Sequence, residues 1–178
     1  MPRVDFLTLP DHGRVWVFPA SRQLAGDEER RLLVEVDAFL DEWAAHGAPL
    51  RAGRELVEGW FLLVGVDEDA SKPSGCSIDA LVNRLEGLGQ ALGVTLVDRA
   101  PVWYRAGSEI RRVARQEFKA LAQAGAVGPG TQVFDTSLNR LEALRGEGLE
   151  RPARQSWHGS AFFRDAAAPG SGNDGNRA

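Results

Sequence analysis

The stretch GWFLLVGVD, residues 59–67, constrains the fold of this chain more than any other. It is a nearly continuous apolar run of strand length, with no polar residue until its last position. A strand that is apolar on both faces needs cover on both faces. The run therefore predicts a central strand with a packed layer on either side. At 178 residues the chain is long enough to supply those layers within one domain.

The neighbouring segments read as the covering elements. GRVWVFPA is rich in Val and aromatics and is bounded by Gly13 and Pro19, which predicts a strand. Asp27 opens a helix with acids in its first turn, and Leu32, Val36, Phe39, Leu40 and Trp43 recur at helical spacing. AHGAP ends that helix, with Gly47 as the residue just past its C-terminus. In SGCSID, Cys76 begins the next helix and Ser77 caps it, ahead of a Leu stripe that Gly93 stops. VTLVD and VWYRA read as strands around the DRAP turn. Ser108 or Glu109 opens a third helix, with Ile110, Val113, Ala114, Phe118 and Leu121 facing inward. TQVFD reads as a strand, residues 137–144 as a short helix, and PARQSWHGSAFF as a terminal segment docked by its aromatics. The expected fold is a single α/β or α+β domain over residues 1–165, a sandwich with a mixed β-sheet and three to four helices. Residues 166–178 have little to bury and are expected to be a disordered tail.

Charge and cysteine content exclude several function classes. The net charge is −4 with a pI of about 5.4, so the overall charge argues against nucleic acid as a partner. No apolar run of about 18 residues occurs, so no membrane span is expected. The opening MPRVDFLTLPDHGR is broken by Pro, Asp and His and does not read as a signal peptide. One cysteine cannot form an internal disulfide or a cysteine-rich zinc site, and the cytoplasm is the expected compartment.

The chemistry-bearing residues each have two readings. Cys76 at a helix N-terminus would feel the positive end of the dipole, which favours a nucleophilic thiolate; as a small buried hydrophobe it would be structural. Asp67, Glu68, Asp69, Asp98 and Asp135 follow predicted strands, where oxygen ligands for Mg²⁺ or Mn²⁺ gather; Asp also begins turns and caps helices. His12, His46 and His158 are scattered without metal-ligand spacing, so no metal site is assigned. His158 has the chemistry of a general acid or base for Cys76. Arg112, Arg115 and Lys119, beside Arg111, read as a basic helical stripe for phosphate or an acidic partner. No GxxxxGK[ST] loop is present, which predicts no ATP hydrolysis. For each of these the structural reading carries more weight.

VWVFPASRQL, FLDEWAAHG, VDEDASKPSGCSID, LVDRAPV, TQVFD and SWH occur in that order over residues 14–158. In these segments the chain resembles short bacterial proteins, frequent in Bacteroidetes, that carry the label "ABC transporter ATPase". The resemblance points to Arg22, His46, Gly47, Asp67, Glu68, Gly75, Cys76, Ser77, Asp79, Asp98, Arg99 and His158. It also makes Asp135, where an Asn pair is expected, a candidate metal ligand. The label implies nucleotide hydrolysis; the cofactor is left open.

Two functions follow as expectations. The first is a non-catalytic binding or adaptor domain that meets a protein partner through the basic stripe or the aromatic terminal segment. The second is a small enzyme with a pocket around Asp67, Cys76, Asp79 and Arg99, acting on a phosphorylated or anionic ligand. In that reading Cys76, Asp67, Asp79 and His158 are the catalytic candidates, and Arg99, His46 and Arg22 bind the ligand. The oligomeric state is left open.

Overall fold

In the computed structural model, which describes residues 3–164, the run GWFLLVGVD becomes the middle strand of a three-stranded antiparallel sheet. The elements are β1 (Arg14–Pro19), α1 (Asp27–Glu42), β2 (Ala44–Ala45), β3 (Ala48–Pro49), β4 (Arg51–Val57), β5 (Phe61–Asp67) and α2 (Gly75–Leu92). There follow β6 (Val102–Ala106), β7 (Glu109–Val113), α3 (Arg115–Gln123), β8 (Gln132–Phe134), α4 (Leu141–Gly146), β9 (Glu150–Pro152) and α5 (Trp157–Phe162). The expected tail, residues 166–178, lies outside the described residues.

β5 sits between β1 and β4 and all seven of its residues are buried. Its side chains alternate between two apolar clusters, as the two-residue period of a strand requires. Leu62, Val64 and Val66 face α1 and α2, against Leu32, Val36, Leu81 and Leu85. Phe61 and Leu63 face the other way, against Trp103 of β6, Phe134 of β8 and Leu141 of α4. The second sheet, in the order β7-β6-β8-β9, alternates in the same manner. Trp103 and Phe134 point toward β5, while Val102, Tyr104 and Val133 pack on Phe118 of α3 and on Phe163. The result is an α+β sandwich of helix, sheet, sheet and helix. Its strands pair antiparallel within separate sheets rather than in one mixed sheet.

Five local expectations are corrected. β4 is a strand where none is predicted. Residues 109–113 form a strand hairpinned to β6, not the first turns of a helix, so α3 starts at Arg115. Residues 94–98 bury Val94 and Leu96 without joining a ladder. The 137–144 helix is α4, shifted to Leu141–Gly146. Gly47 does not end α1, which stops at Glu42; His46 (φ 51°) and Gly47 (φ 78°) form the left-handed two-residue turn of the β2–β3 hairpin.

The helix α2 start also differs. Ser74, not Ser77, is the cap: its hydroxyl accepts the Ser77 N–H at 3.1 Å, and its own N–H donates to Ser77 Oγ at 2.8 Å. This is a reciprocal capping box with Ser in the position usually held by Glu or Gln. Ser74→Ala is expected to cost about 1 kcal/mol in chemical denaturation; a change within error would show that the box adds nothing.

Two glycines facing each other across the ladder, Gly53 and Gly65, let the N-terminal segment lie directly on the sheet. A Cβ on Gly53 would stand 2.7 Å from Val4 O, and one on Gly65 3.0 Å from Phe6 Cε2. The 3₁₀ turn Phe6–Thr8 is thereby held beside β4. No helix among the described residues is long and apolar enough to cross a membrane.

Candidate functional site: an open strand edge and three polar clusters

The expected pocket around Asp67, Cys76, Asp79 and Arg99 is not joined by any hydrogen bond or ion pair among those four residues. Asp67, at the end of β5 and buried, accepts the Asp69 N–H at 3.0 Å and pairs with Arg51 at 2.9 Å. The Asp69 amide, with Arg51 beside it, holds the Asp67 carboxyl below its ordinary range. Cys76 is the second residue of α2 and is exposed, not the small buried hydrophobe expected. The helix register buries Ser77, Leu81, Leu85 and Leu88 and turns Cys76 and Asp79 outward. Arg99 is exposed, and His46 sits exposed on its hairpin turn. Arg22 is bound at both guanidinium nitrogens to Glu28, at 3.0 and 2.7 Å, and also to Leu92 O at 2.9 Å. It ties the α1 start to the last turn of α2, where a cation complements the helix dipole.

The basic stripe is split. Arg112 lies on β7, over Trp103 and 3.8 Å from Asp98. Arg115 opens α3, stacks over Trp157 and donates to Ala100 O. The aromatic terminal segment does dock: Trp157, Phe162 and Phe163 pack around Phe118.

His158 is buried at 1% exposure. Its Nδ1 lies 2.7 Å from Ser156 Oγ, and its ring packs on Trp157 and Phe118; Cys76 is not among its contacts. Burial pushes its pKa down to about 4; the Asp135 carboxylate opposes this, and Arg115 and Arg151 add to it. An imidazole in the unfolded chain titrates at about 6.5. Between those values the unfolded chain binds a proton that the folded chain does not. The contribution is fully present above pH 6.5 and is lost as pH falls toward 4, at up to about 1.4 kcal/mol per pH unit. In His158→Gln the slope of unfolding free energy over that window is expected to drop by about one proton; an unchanged slope would refute the assignment.

Asp135, the candidate metal ligand of the resemblance, is engaged elsewhere. Both its oxygens are in use: one pairs with buried Arg151, the other accepts the Ser137 N–H at 3.0 Å. A different trio is brought together at the opposite end of β5. His12 Nε2 lies 2.7 Å from Asp69 Oδ2, and donor atoms of His12, Asp67 and Asp69 fall within 4.8 Å of one another. These are suitable divalent-cation ligands, although each is already partnered within the protein. Sequence spacing does not reveal this trio. The β1–β5 register, with Arg14 opposite Val66, carries His12 to residues 67–69.

The feature that no sequence motif announces is a groove along β4. The other sheet edge, β1, is paired at its start: Val15 N–H donates to Asn139 O, and Leu141 N–H to Gly13 O. On β4, Val4 N–H donates to Ala52 O at 2.8 Å, which shows that Ala52 faces outward. Backbone direction alternates along a strand, so Arg54 and Leu56 face outward too. Beyond Ala52 no backbone hydrogen bond among the described residues reaches that edge. Here an open groove of about 650 Å³ lies between α1 and the Phe6–Thr8 turn. Leu33, Leu56 and Leu7 give it apolar surface, and Leu7 is 74% exposed. Its charged residues are Asp5, Glu29, Glu55, Glu58 and Arg54.

Comparison with protein-family models, curated proteins and solved structures gave no match.

Proposed function

We propose that this chain is a non-catalytic binding module that takes an extended segment of a protein partner at the open edge of β4. The observation that carries this reading is the groove itself: no backbone hydrogen bond among the described residues reaches the outward groups of Arg54 and Leu56, and both residues line it. Unpaired strand edges are templates for added strands, and added strands are a recurrent mode of peptide recognition. The outward N–H and C=O groups of Arg54 and Leu56 offer main-chain pairing, and the flanking helix and turn offer side-chain contacts. The enzyme alternative needs Asp67, Cys76, Asp79 and Arg99 to act together, and no hydrogen bond or ion pair links any two of them. A cytoplasmic setting fits the single, exposed thiol.

The test is amide hydrogen exchange on purified protein with a panel of extended peptides. In the free protein the Arg54 and Leu56 amides are expected to exchange faster than those of Gly53 and Glu55, which face β5. A bound peptide is expected to slow Arg54 and Leu56. Leu56→Pro removes an outward donor without touching the β5 ladder, and is expected to abolish binding while the Gly53 and Glu55 amides stay protected. Peptides that bind without protecting Arg54 and Leu56, or no binding at millimolar peptide, would overturn the proposal.

A further inference from the structure

Resting on that reading, we infer that the groove selects a segment bearing consecutive Lys or Arg side chains. Four carboxylates line the groove, from Asp5, Glu29, Glu55 and Glu58, against one guanidinium. That guanidinium, Arg54, is already held by both oxygens of Asp37 at 2.8 Å. Glu58 is held by Arg105 at 2.7 Å. Glu29 and Glu55 have no cation partner among the described residues. The groove is thus acidic after its internal pairs are counted.

The carboxylates are distributed to suit a strand. Side chains of an added strand alternate between the two walls of the groove. The α1 wall presents Glu29 beside Leu33, with Leu56 of β4 on the same side. The opposite wall presents Asp5 beside Leu7, with Glu55 on that side. Each wall therefore combines an apolar surface with a carboxylate. A Lys or Arg matches that pair, laying its aliphatic stem on leucine and its charged head at the acid. Two neighbouring basic residues would fill both walls at once. A second copy of this chain fits poorly, because β4 against β4 would set these carboxylates against one another.

The experiment uses capped decapeptides of alternating Thr and Val with a central Lys-Lys, read by fluorescence anisotropy and by exchange of the Arg54 and Leu56 amides. The Lys-Lys peptide is expected to bind at least tenfold more tightly than its Glu-Glu counterpart, and to weaken as salt is raised. Glu29→Lys/Glu55→Lys is expected to reverse that order. If Glu-Glu and Lys-Lys peptides bind alike while protecting Arg54 and Leu56, the charge inference fails and the strand-edge reading stands. If Lys-Lys peptides bind without that protection, the strand-edge reading fails and the inference with it. Concentration-dependent dimerisation that blocks both peptides would overturn the inference in favour of self-association.

Discussion

Phe61→Ala is expected to destabilise the protein by about 3–5 kcal/mol. Phe61 is fully buried and opens the central strand at the junction of the two sheets. Its ring stacks on Phe134 with centroids 4.7 Å apart and meets Trp103 edge-on at 6.2 Å. Both partners belong to the second sheet, so this ring joins the two sheets directly. Removing it leaves a cavity whose walls are strands, and strands held in ladders close poorly around a void. The measurement is the urea midpoint, with Val34→Ala as a control. Val34 is 67% exposed, and its truncation should stay within about 0.5 kcal/mol. A Phe61→Ala cost near that of the control would mean that the sheets are joined by something other than this aromatic cluster.

The second large effect concerns charge. Asp135→Ala is expected to cost about 3 kcal/mol, because it leaves Arg151 charged and buried without its main partner. The Arg151 side chain is only 7% exposed. Burial opposes its charge, yet the carboxylates of Glu147 and Asp135 outweigh that and raise its pKa above the ordinary value. Its Nε has no partner among the described residues, so the site has no spare acceptor to replace Asp135. Glu147 is 62% exposed and is screened by water, which limits what it can offset. In the double variant Asp135→Ala/Arg151→Met the cost is expected to be well below the sum of the single changes, since neither charge is then stranded. Additive costs would show that the two residues act independently.

The helices α1 and α2 and the strands β1 and β5 were legible because their apolar residues follow one period without conflict. β4 was hidden by its own role. As an edge strand it carries Arg51, Arg54 and Glu55, which break the apolar alternation that a buried strand displays. β7 misled for the opposite reason: Ile110, Val113, Phe118 and Leu121 do fall at helical spacing, and only pairing with β6 decides against the helix. Sequence does not separate Ser74 from Ser77 as the cap, since both serines of the box satisfy the same preference. The groove was out of reach. Its walls come from residues 5–7, 29–33 and 54–59, and what unites them is strand pairing and a glycine contact, not a motif. Trios such as His12, Asp67 and Asp69 are hidden for the same reason.

The two-sided burial of β5 has a consequence for synthesis. Its first face is covered by α1 and by α2, which follows within a few residues. Its second face, with Phe61 and Leu63, waits for Trp103, Phe134 and Leu141. Roughly seventy residues separate Phe61 from Phe134, and at about 5–20 residues per second a ribosome needs several seconds to deliver them. During that interval the nascent chain displays a wet aromatic and aliphatic strand surface with a bare β4 edge beside it. Such an intermediate is a natural client for a holding chaperone, and slowing translation between residues 67 and 134 should lower the soluble yield more than slowing it after residue 150.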